Sequence, residues 1–186
     1  MVQAIAQTET LLTGDDLLAM GDMGSCELID GRIVSMSPTG GEHGRLEFYL
    51  GTEFTQFVRK RQHGWVMGGA VGIYTHRNPD TVRGTDVAVL SKKRAPDGPA
   101  QGFLDVAPEV VVEIMSPSDR WQDVQQKIEE YFSVEVHQVW VVEPDNQRVL
   151  IYDSPTSLHK FEAGDVINGK GILDGFTLDV AELFAR

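Results

Sequence analysis

Residues 110–142 read VVVEIMSPSDRWQDVQQKIEEYFSVEVHQVWVV, and this stretch decides the fold. Its first six residues are apolar on both faces except at Glu113, which is typical of a central buried strand. The segment Ser116–Asp119 places a serine, a proline and an acid where helix N-termini favour them, so a helix is predicted from there to about Phe132. A second apolar run, 136–142, predicts another central strand. Together they predict a βαβ unit with a right-handed crossover.

Shorter elements surround this unit. Thr13 is placed to cap a short helix that ends near Met20, and Asp30–Gly31 between two β-prone runs predicts an N-terminal β-hairpin. Apolar residues at three- and four-residue steps predict the longest helix over 42–61. The other predicted elements are an outer strand at 148–152, further strands at 65–67, 71–74, 85–90, 159–162 and 172–176, and a final helix from Val180. The predicted fold class is therefore α/β.

Composition indicates a globular protein of ordinary type. Of 186 residues, 41% are hydrophobic and 24% charged, which predicts one soluble domain, 13–186, after an N-terminal tail, 1–12. Cys26 is the only cysteine, so an intrachain disulfide and a multi-cysteine zinc site are excluded and a reducing, cytoplasmic location is expected. Neither a signal peptide nor an apolar run of about 18 residues is found, so no membrane association is expected.

The charge balance limits the nucleic-acid surface. The formal net charge is −12, from 16 Lys+Arg and 28 Asp+Glu. Because contacts to phosphates need cations, this charge argues against an extended nucleic-acid surface and leaves a local site. The basic segments Arg59–Arg61 and Lys92–Arg94 could touch phosphates, but an exposed solvated face explains each equally well.

Several enzyme classes are excluded by missing motifs. The sequence contains no phosphate-binding loop, no dinucleotide glycine fingerprint, no Gly-x-Ser-x-Gly elbow and no His-Glu-x-x-His. Its five histidines are scattered, with no pair at metal-ligand spacing, so structural or surface roles are expected for them. These absences leave the acidic residues as the candidates for chemistry.

Two acids fall on predicted buried strands. Glu113 has apolar neighbours on both faces, and Asp86 has the same character on the strand 85–90. A buried carboxylate is normally protonated, paired or metal-bound, so the two acids could hold Mg²⁺ or Mn²⁺ if their strands are neighbours. Lys127, on the following helix, is a candidate cation beside them. The simpler alternatives are a structural salt bridge for the acids and an exposed pair of Lys127 with Asp123.

A set of short motifs resembles the Uma family, whose members are described as putative restriction endonucleases. The similarity extends from about residue 13 to the end of the chain. No single motif is specific, but their combination is. The motifs are Glu27–Gly31, Gly41–His43, Thr85–Val89, Pro108–Ser118, Lys127, Tyr131 and Val139–Pro144.

The resemblance implies a restriction-endonuclease-like, PD-(D/E)XK fold: a mixed central sheet flanked by helices, here with the N-terminal hairpin. It implies that Asp86 and Glu113 are metal carboxylates and catalytic residues. The chain departs from the general pattern at Thr85, where the motif has proline, and at Met115, where Glu-x-Lys requires lysine. The resemblance suggests that the catalytic lysine has moved to the helix as Lys127.

The implied function is a metal-dependent endonuclease that hydrolyses DNA, with Mg²⁺ or Mn²⁺ as cofactor. The sequence does not decide between a monomer and a homodimer. The alternative is a noncatalytic nuclease-like binding module with a degraded metal site, because the acidic charge and the relocated lysine are unusual for a nuclease. A site role for His43 competes with capping or packing, and Glu27 is a minor candidate for approaching the metal. Trp121 and Trp140 are expected in the core.

Overall fold

A computed structural model describes residues 10–185 of the protein. The division into a tail, 1–12, and one domain, 13–186, stays a prediction, and residues 1–9 of that tail lie outside the described part. No helix within the described range combines the length and apolarity needed to cross a bilayer.

Four helices and ten strands make up the described chain. The helices are α1 (Gly14–Ala19), α2 (Gly41–Arg61), α3 (Trp121–Ser133) and α4 (Val180–Phe184). The strands of the main sheet are β1 (Cys26–Ile29), β2 (Arg32–Ser35), β3 (Gly64–His76), β4 (Thr81–Ser91), β5 (Val110–Ile114), β6 (Gln138–Glu143), β7 (Arg148–Ser154) and β8 (Ser157–Phe161). A small second sheet pairs β9 (Val166–Asn168) with β10 (Thr177–Asp179).

The main sheet is mixed. Its order is β2-β1-β4-β5-β6-β7-β8, and β3 also pairs with β4. Only β5 and β6 run parallel among the described strands, and α3 connects them, which confirms the predicted βαβ unit. The β1–β2 hairpin turns at Asp30 and Gly31, both at positive φ, as the Asp-Gly signal predicts.

Helices cover both faces of the sheet because each carries an apolar stripe. Helix α2 buries one residue per turn against one face, which includes the fully buried Trp140. Helix α3 packs against the opposite face. The stripe of α2 is Leu46, Leu50, Phe54 and Val58, and that of α3 is Val124, Ile128 and Tyr131. The expected mixed sheet flanked by helices is therefore confirmed.

Helix α3 begins at Trp121, later than the predicted start at Ser116. The Asp119 carboxylate accepts a 2.7 Å hydrogen bond from the Ser116 backbone N–H, and this bond closes a turn ahead of the helix. Trp121 consequently occupies the first helical position and is 36% exposed, so its predicted core placement was wrong. Trp140 is in the core, as predicted.

Three strand predictions need correction. The pieces at 65–67 and 71–74 are one strand, β3, which continues through an irregularity at Gly69 and Ala70. Strand β7 is not the outer strand, because β8 pairs with its free edge. The predicted strand at 172–176 is absent from the described chain; a 3₁₀ turn at Gly171–Leu173 leads into β10 instead.

Candidate functional site

The two predicted acids meet where the β4–β5 ladder ends. Its last pair is Val87 with Val112, so Asp86 and Glu113 are the next positions in the same antiparallel register. Beyond this pair, side chains replace the backbone ladder. The Ile114 N–H donates to Asp86 Oδ2 over 2.6 Å, and the hydroxyl of Thr85 donates to the Val112 carbonyl over 2.8 Å.

Glu113 is buried and bound by two side chains of α3. Lys127 Nζ lies 3.0 Å from Glu113 Oε2, and the Tyr131 hydroxyl donates to Oε1 over 2.6 Å. Burial raises the pKa of Glu113 to about 7; the Lys127 ammonium opposes this shift, and the negative charge of Asp86 adds to it. The two carboxyl groups therefore interact electrostatically, and a second cation would favour the ionised form of Glu113.

Lys127 is held among three oxygens. Besides Glu113, its ammonium contacts Glu27 Oε1 at 2.8 Å and the Gly84 carbonyl at 3.2 Å. Burial disfavours its charge, but the two carboxylates outweigh burial and raise its pKa. Lys127 is therefore an ammonium at neutral pH. The alternative of an exposed pair with Asp123 does not hold, because the Lys127 side chain is only 14% exposed and faces the acids.

Arg83 and Glu130 form an outer layer of this pocket. The Arg83 guanidinium binds Glu130 through two nitrogens, at 2.6 and 2.7 Å, and reaches Glu27 at 2.9 Å. Glu27, placed by the hairpin, also accepts the Gly84 N–H. Glu27 is thus shared between two buried cations, which explains how a carboxylate remains 95% buried.

Helix α2 contributes a second group of ligands. His43 Nε2 lies 3.3 Å from Asp86 Oδ2, and Glu47 follows one turn later on the same face. His43, Glu47 and Asp86 each offer one ligand atom, and these atoms all lie within 4.8 Å of one another. We call these three residues the His43 cluster. Asp86 belongs to both groups, so it connects the α2 side of the sheet to Glu113 and Lys127.

The donor set fits a divalent cation. Glu27, Glu113 and Glu130 contact the two buried cations Arg83 and Lys127, whereas Asp86 and Glu47 lie together beside His43 and form no ion pair with either cation among the described residues. Carboxylate oxygens are the ligands that Mg²⁺ and Mn²⁺ prefer, and Asp86 retains free lone pairs after its contacts. Asp86 and Glu113 are therefore suitable metal ligands.

A groove adjoins this centre along α2. It has a volume of about 520 Å³ and runs between α2 and the strand β3, with Glu47 in its wall. Gly44 and Gly51 have no side chains to fill the groove on its helix side. Phe48, which is 78% exposed, lies beside them. Glu47 lines this groove, so the groove borders the His43 cluster.

Comparison with known proteins places the chain in a family. The family model described as "Uma2: Putative restriction endonuclease" matches residues 15–181. The chain belongs to the Uma2 family. A solved structure with the same fold is described as a putative nuclease belonging to DUF820 from Anabaena variabilis ATCC 29413. The two chains share 19% sequence identity. Their superposition covers 93% of this chain and 97% of the other, with a TM-score of 0.78.

No curated protein matches the sequence. The Uma2 model confirms the expected family and supports a nuclease-like function, and the structural neighbour confirms the expected fold.

Sequence reasoning on this Uma2 chain missed three polar residues of the site. Glu47 was not considered, although its spacing from His43 places both on one helix face. Arg83 and Glu130 were also missed, because they lie far apart in the sequence and no local pattern links them. Tyr131, which the resemblance includes among its motifs without a role, is buried, and its hydroxyl donates a hydrogen bond to Glu113.

The two basic segments contain arginines with intramolecular partners. Arg61 binds the Asp174 carbonyl, and Arg94 binds the Ala107 carbonyl and lies 3.3 Å from Glu109. These contacts give both arginines a structural role.

Proposed function

We propose that this protein is a metal-dependent endonuclease that hydrolyses DNA phosphodiester bonds at Asp86, Glu113 and Lys127. The observation that supports it most is the 3.0 Å contact between Lys127 and Glu113, next to Asp86 on the neighbouring strand. These residues come from three elements, and Uma2 membership supports hydrolysis of nucleic acid as the reaction class. We call these three residues the acid–lysine pocket.

Each residue has a role that follows from its surroundings. Asp86 and Glu113 would hold Mg²⁺ or Mn²⁺, which would supply Lewis-acid polarisation of the scissile phosphate and of the attacking water. Lys127 is an ammonium, so its positive charge offsets negative charge that develops on the phosphate oxygens, and it does not accept the proton. Tyr131 lies on α3, on the face of the sheet opposite to α2. Its hydroxyl fixes the Glu113 carboxylate through a 2.6 Å hydrogen bond.

The groove along α2 is the surface that we assign to the DNA substrate. It reaches Glu47 and has glycines where a bulky strand would approach the helix. The net charge of −12 restricts phosphate contacts to a local surface. A cytoplasmic location and a homodimer remain predictions beside this proposal.

The test is DNA cleavage by purified protein with Mg²⁺ or Mn²⁺, compared with Glu113→Ala and Asp86→Ala. Cleavage by the wild type and its loss in both variants would support the proposal. Asp123→Ala is the matched control, because Asp123 lies on the same helix as Lys127 and outside the acid–lysine pocket. Cleavage that persists equally in Glu113→Ala would contradict the assignment.

A noncatalytic nuclease-like binding module is the second candidate. It is favoured by the contacts of Lys127, whose ammonium already lies within 2.8–3.2 Å of three oxygens. Metal response separates the two candidates. A functional pocket gains thermal stability with Mn²⁺ or Mg²⁺, whereas a degraded pocket does not.

A further inference from the structure

The start of α2 presents a histidine and a glutamate to the strand that carries Asp86. His43 is 7% exposed, and its two ring nitrogens face different carboxylates. Nε2 lies 3.3 Å from Asp86 Oδ2, and Nδ1 lies 4.0 Å from Glu47 Oε2. The ring therefore stands between two acids that approach from different elements.

One ring nitrogen of His43 has no partner. Within the described residues, His43 Nδ1 is buried and makes no hydrogen bond. Burying such an atom without a partner costs free energy. The 4.0 Å separation from Glu47 is too long for a hydrogen bond, yet two ligands of one ion, each about 2.1 Å from it, can stand that far apart.

A backbone hydrogen bond orients the carboxylate of Glu47. Its Oε1 accepts the Gly69 N–H over 2.7 Å, at the irregularity of β3. Its other oxygen, Oε2, is the atom that faces His43. A backbone contact of this kind orients a carboxylate before an ion binds.

We infer that His43 and Glu47 join Asp86 as metal ligands, and that the imidazole makes this centre favour Mn²⁺ over Mg²⁺. The inference rests on the proposed metal-dependent function and assigns the identity of its ion. Mg²⁺ takes oxygen ligands almost exclusively, whereas first-row transition ions accept imidazole. A site with one nitrogen and several carboxylate oxygens therefore selects the transition ion.

Another role for His43 is the orientation of Asp86 through Nε2 alone, which makes it a positioning residue. Affinity measurements do not distinguish this role from ligation, because an orienting residue also affects metal binding. A spectroscopic signature does distinguish them. A coordinated imidazole couples its nitrogen to the unpaired electrons of Mn²⁺, and a histidine that only orients a carboxylate does not.

The experiment measures Mn²⁺ and Mg²⁺ binding by calorimetry, and nitrogen coupling to bound Mn²⁺ by pulsed electron paramagnetic resonance. We expect His43→Gln to lower Mn²⁺ affinity at least about tenfold, to change Mg²⁺ affinity much less, and to abolish the nitrogen signal. We expect Glu47→Gln to weaken both ions. His43→Asn serves as the second variant if His43→Gln does not fold.

His63→Gln is the matched control. His63 also has a buried Nδ1 without a hydrogen-bond partner among the described residues, but no acid cluster of the kind found at His43 includes it. Its substitution should leave Mn²⁺ binding unchanged. Equal Mn²⁺ affinity and an unchanged nitrogen signal in His43→Gln would overturn the inference alone. A wild-type protein that binds neither ion would instead overturn the metal-dependent function.

Discussion

Lys127 Nζ lies 3.0 Å from Glu113 Oε2, although the lysine is on α3 and the glutamate on β5. The position two residues after Glu113, where the general nuclease pattern has lysine, is occupied by Met115. Helix α3 follows β5 and packs back onto the sheet, so its inner face brings Lys127 to the same carboxylate. The ammonium thus reaches Glu113 from another element.

Removing the Lys127 ammonium should destabilise the metal-free protein. Lys127→Met leaves Glu27 and Glu113 buried beside each other without their shared cation, so we expect a loss of about 3 kcal/mol in the free energy of unfolding. Urea denaturation measures this loss. The control is Lys160→Met, whose exposed pair with Glu162 should contribute less than about 1 kcal/mol. Equal effects of the two substitutions would contradict the shared-cation arrangement.

The Arg83–Glu130 pair predicts a pH dependence of stability. Burial alone would raise the pKa of Glu130, but the hydrogen bonds and charge of Arg83 outweigh burial and lower it below 4.5. A lowered folded-state pKa adds stability above the unfolded value, and this stability is lost as the pH falls through the folded value.

Glu130→Gln should therefore cost about 2 kcal/mol at pH 7, and the cost should shrink as the pH falls below the ordinary carboxyl pKa. Denaturation of both proteins across a pH series gives the difference directly. A difference that stays constant down to pH 3 would show that Glu130 does not contribute through its charge.

Gly51 separates stability from substrate access. It lies inside α2, and an added Cβ would meet nothing within 4 Å, so Gly51→Ala should raise the free energy of unfolding by about 1 kcal/mol. Gly72→Ala is the opposite control. It should lower the free energy of unfolding, because its Cβ would come within 2.2 Å of Phe103.

The larger substitution Gly51→Trp places an indole in the α2 groove. We expect it to fold and to bind Mn²⁺ as the wild type does, but to cleave DNA at least about tenfold more slowly, since the strand is excluded. Unimpaired cleavage by a folded Gly51→Trp would show that the substrate does not use this groove.

Local patterns were sufficient for the elements that build the sheet. The apolar run before Glu113, the Asp30–Gly31 turn and the stripe of α2 each follow from side-chain period or turn chemistry within a few residues. The start of α3 could not be placed in the same way. Asp119 can cap a helix or close a turn, and the bond to Ser116 that decides between them is visible only in the structure.

The site was accessible to sequence reasoning where an acid interrupts an apolar strand, as at Glu113. It was not accessible at Glu47 or Arg83, because a charged residue in a helix or strand has no local mark that separates a solvated position from a buried contact. Glu47 acquires its neighbours from β3 and β4, and Arg83 from β1 and α3. Such contacts depend on how the elements pack.

The most direct measurement of the central claim is anomalous diffraction from crystals of the protein grown with Mn²⁺. The account predicts a peak within about 2.5 Å of carboxylate oxygens of both Asp86 and Glu113, with Lys127 still beside them. A well-ordered crystal with these side chains in place and no peak between them, at saturating Mn²⁺, would contradict it.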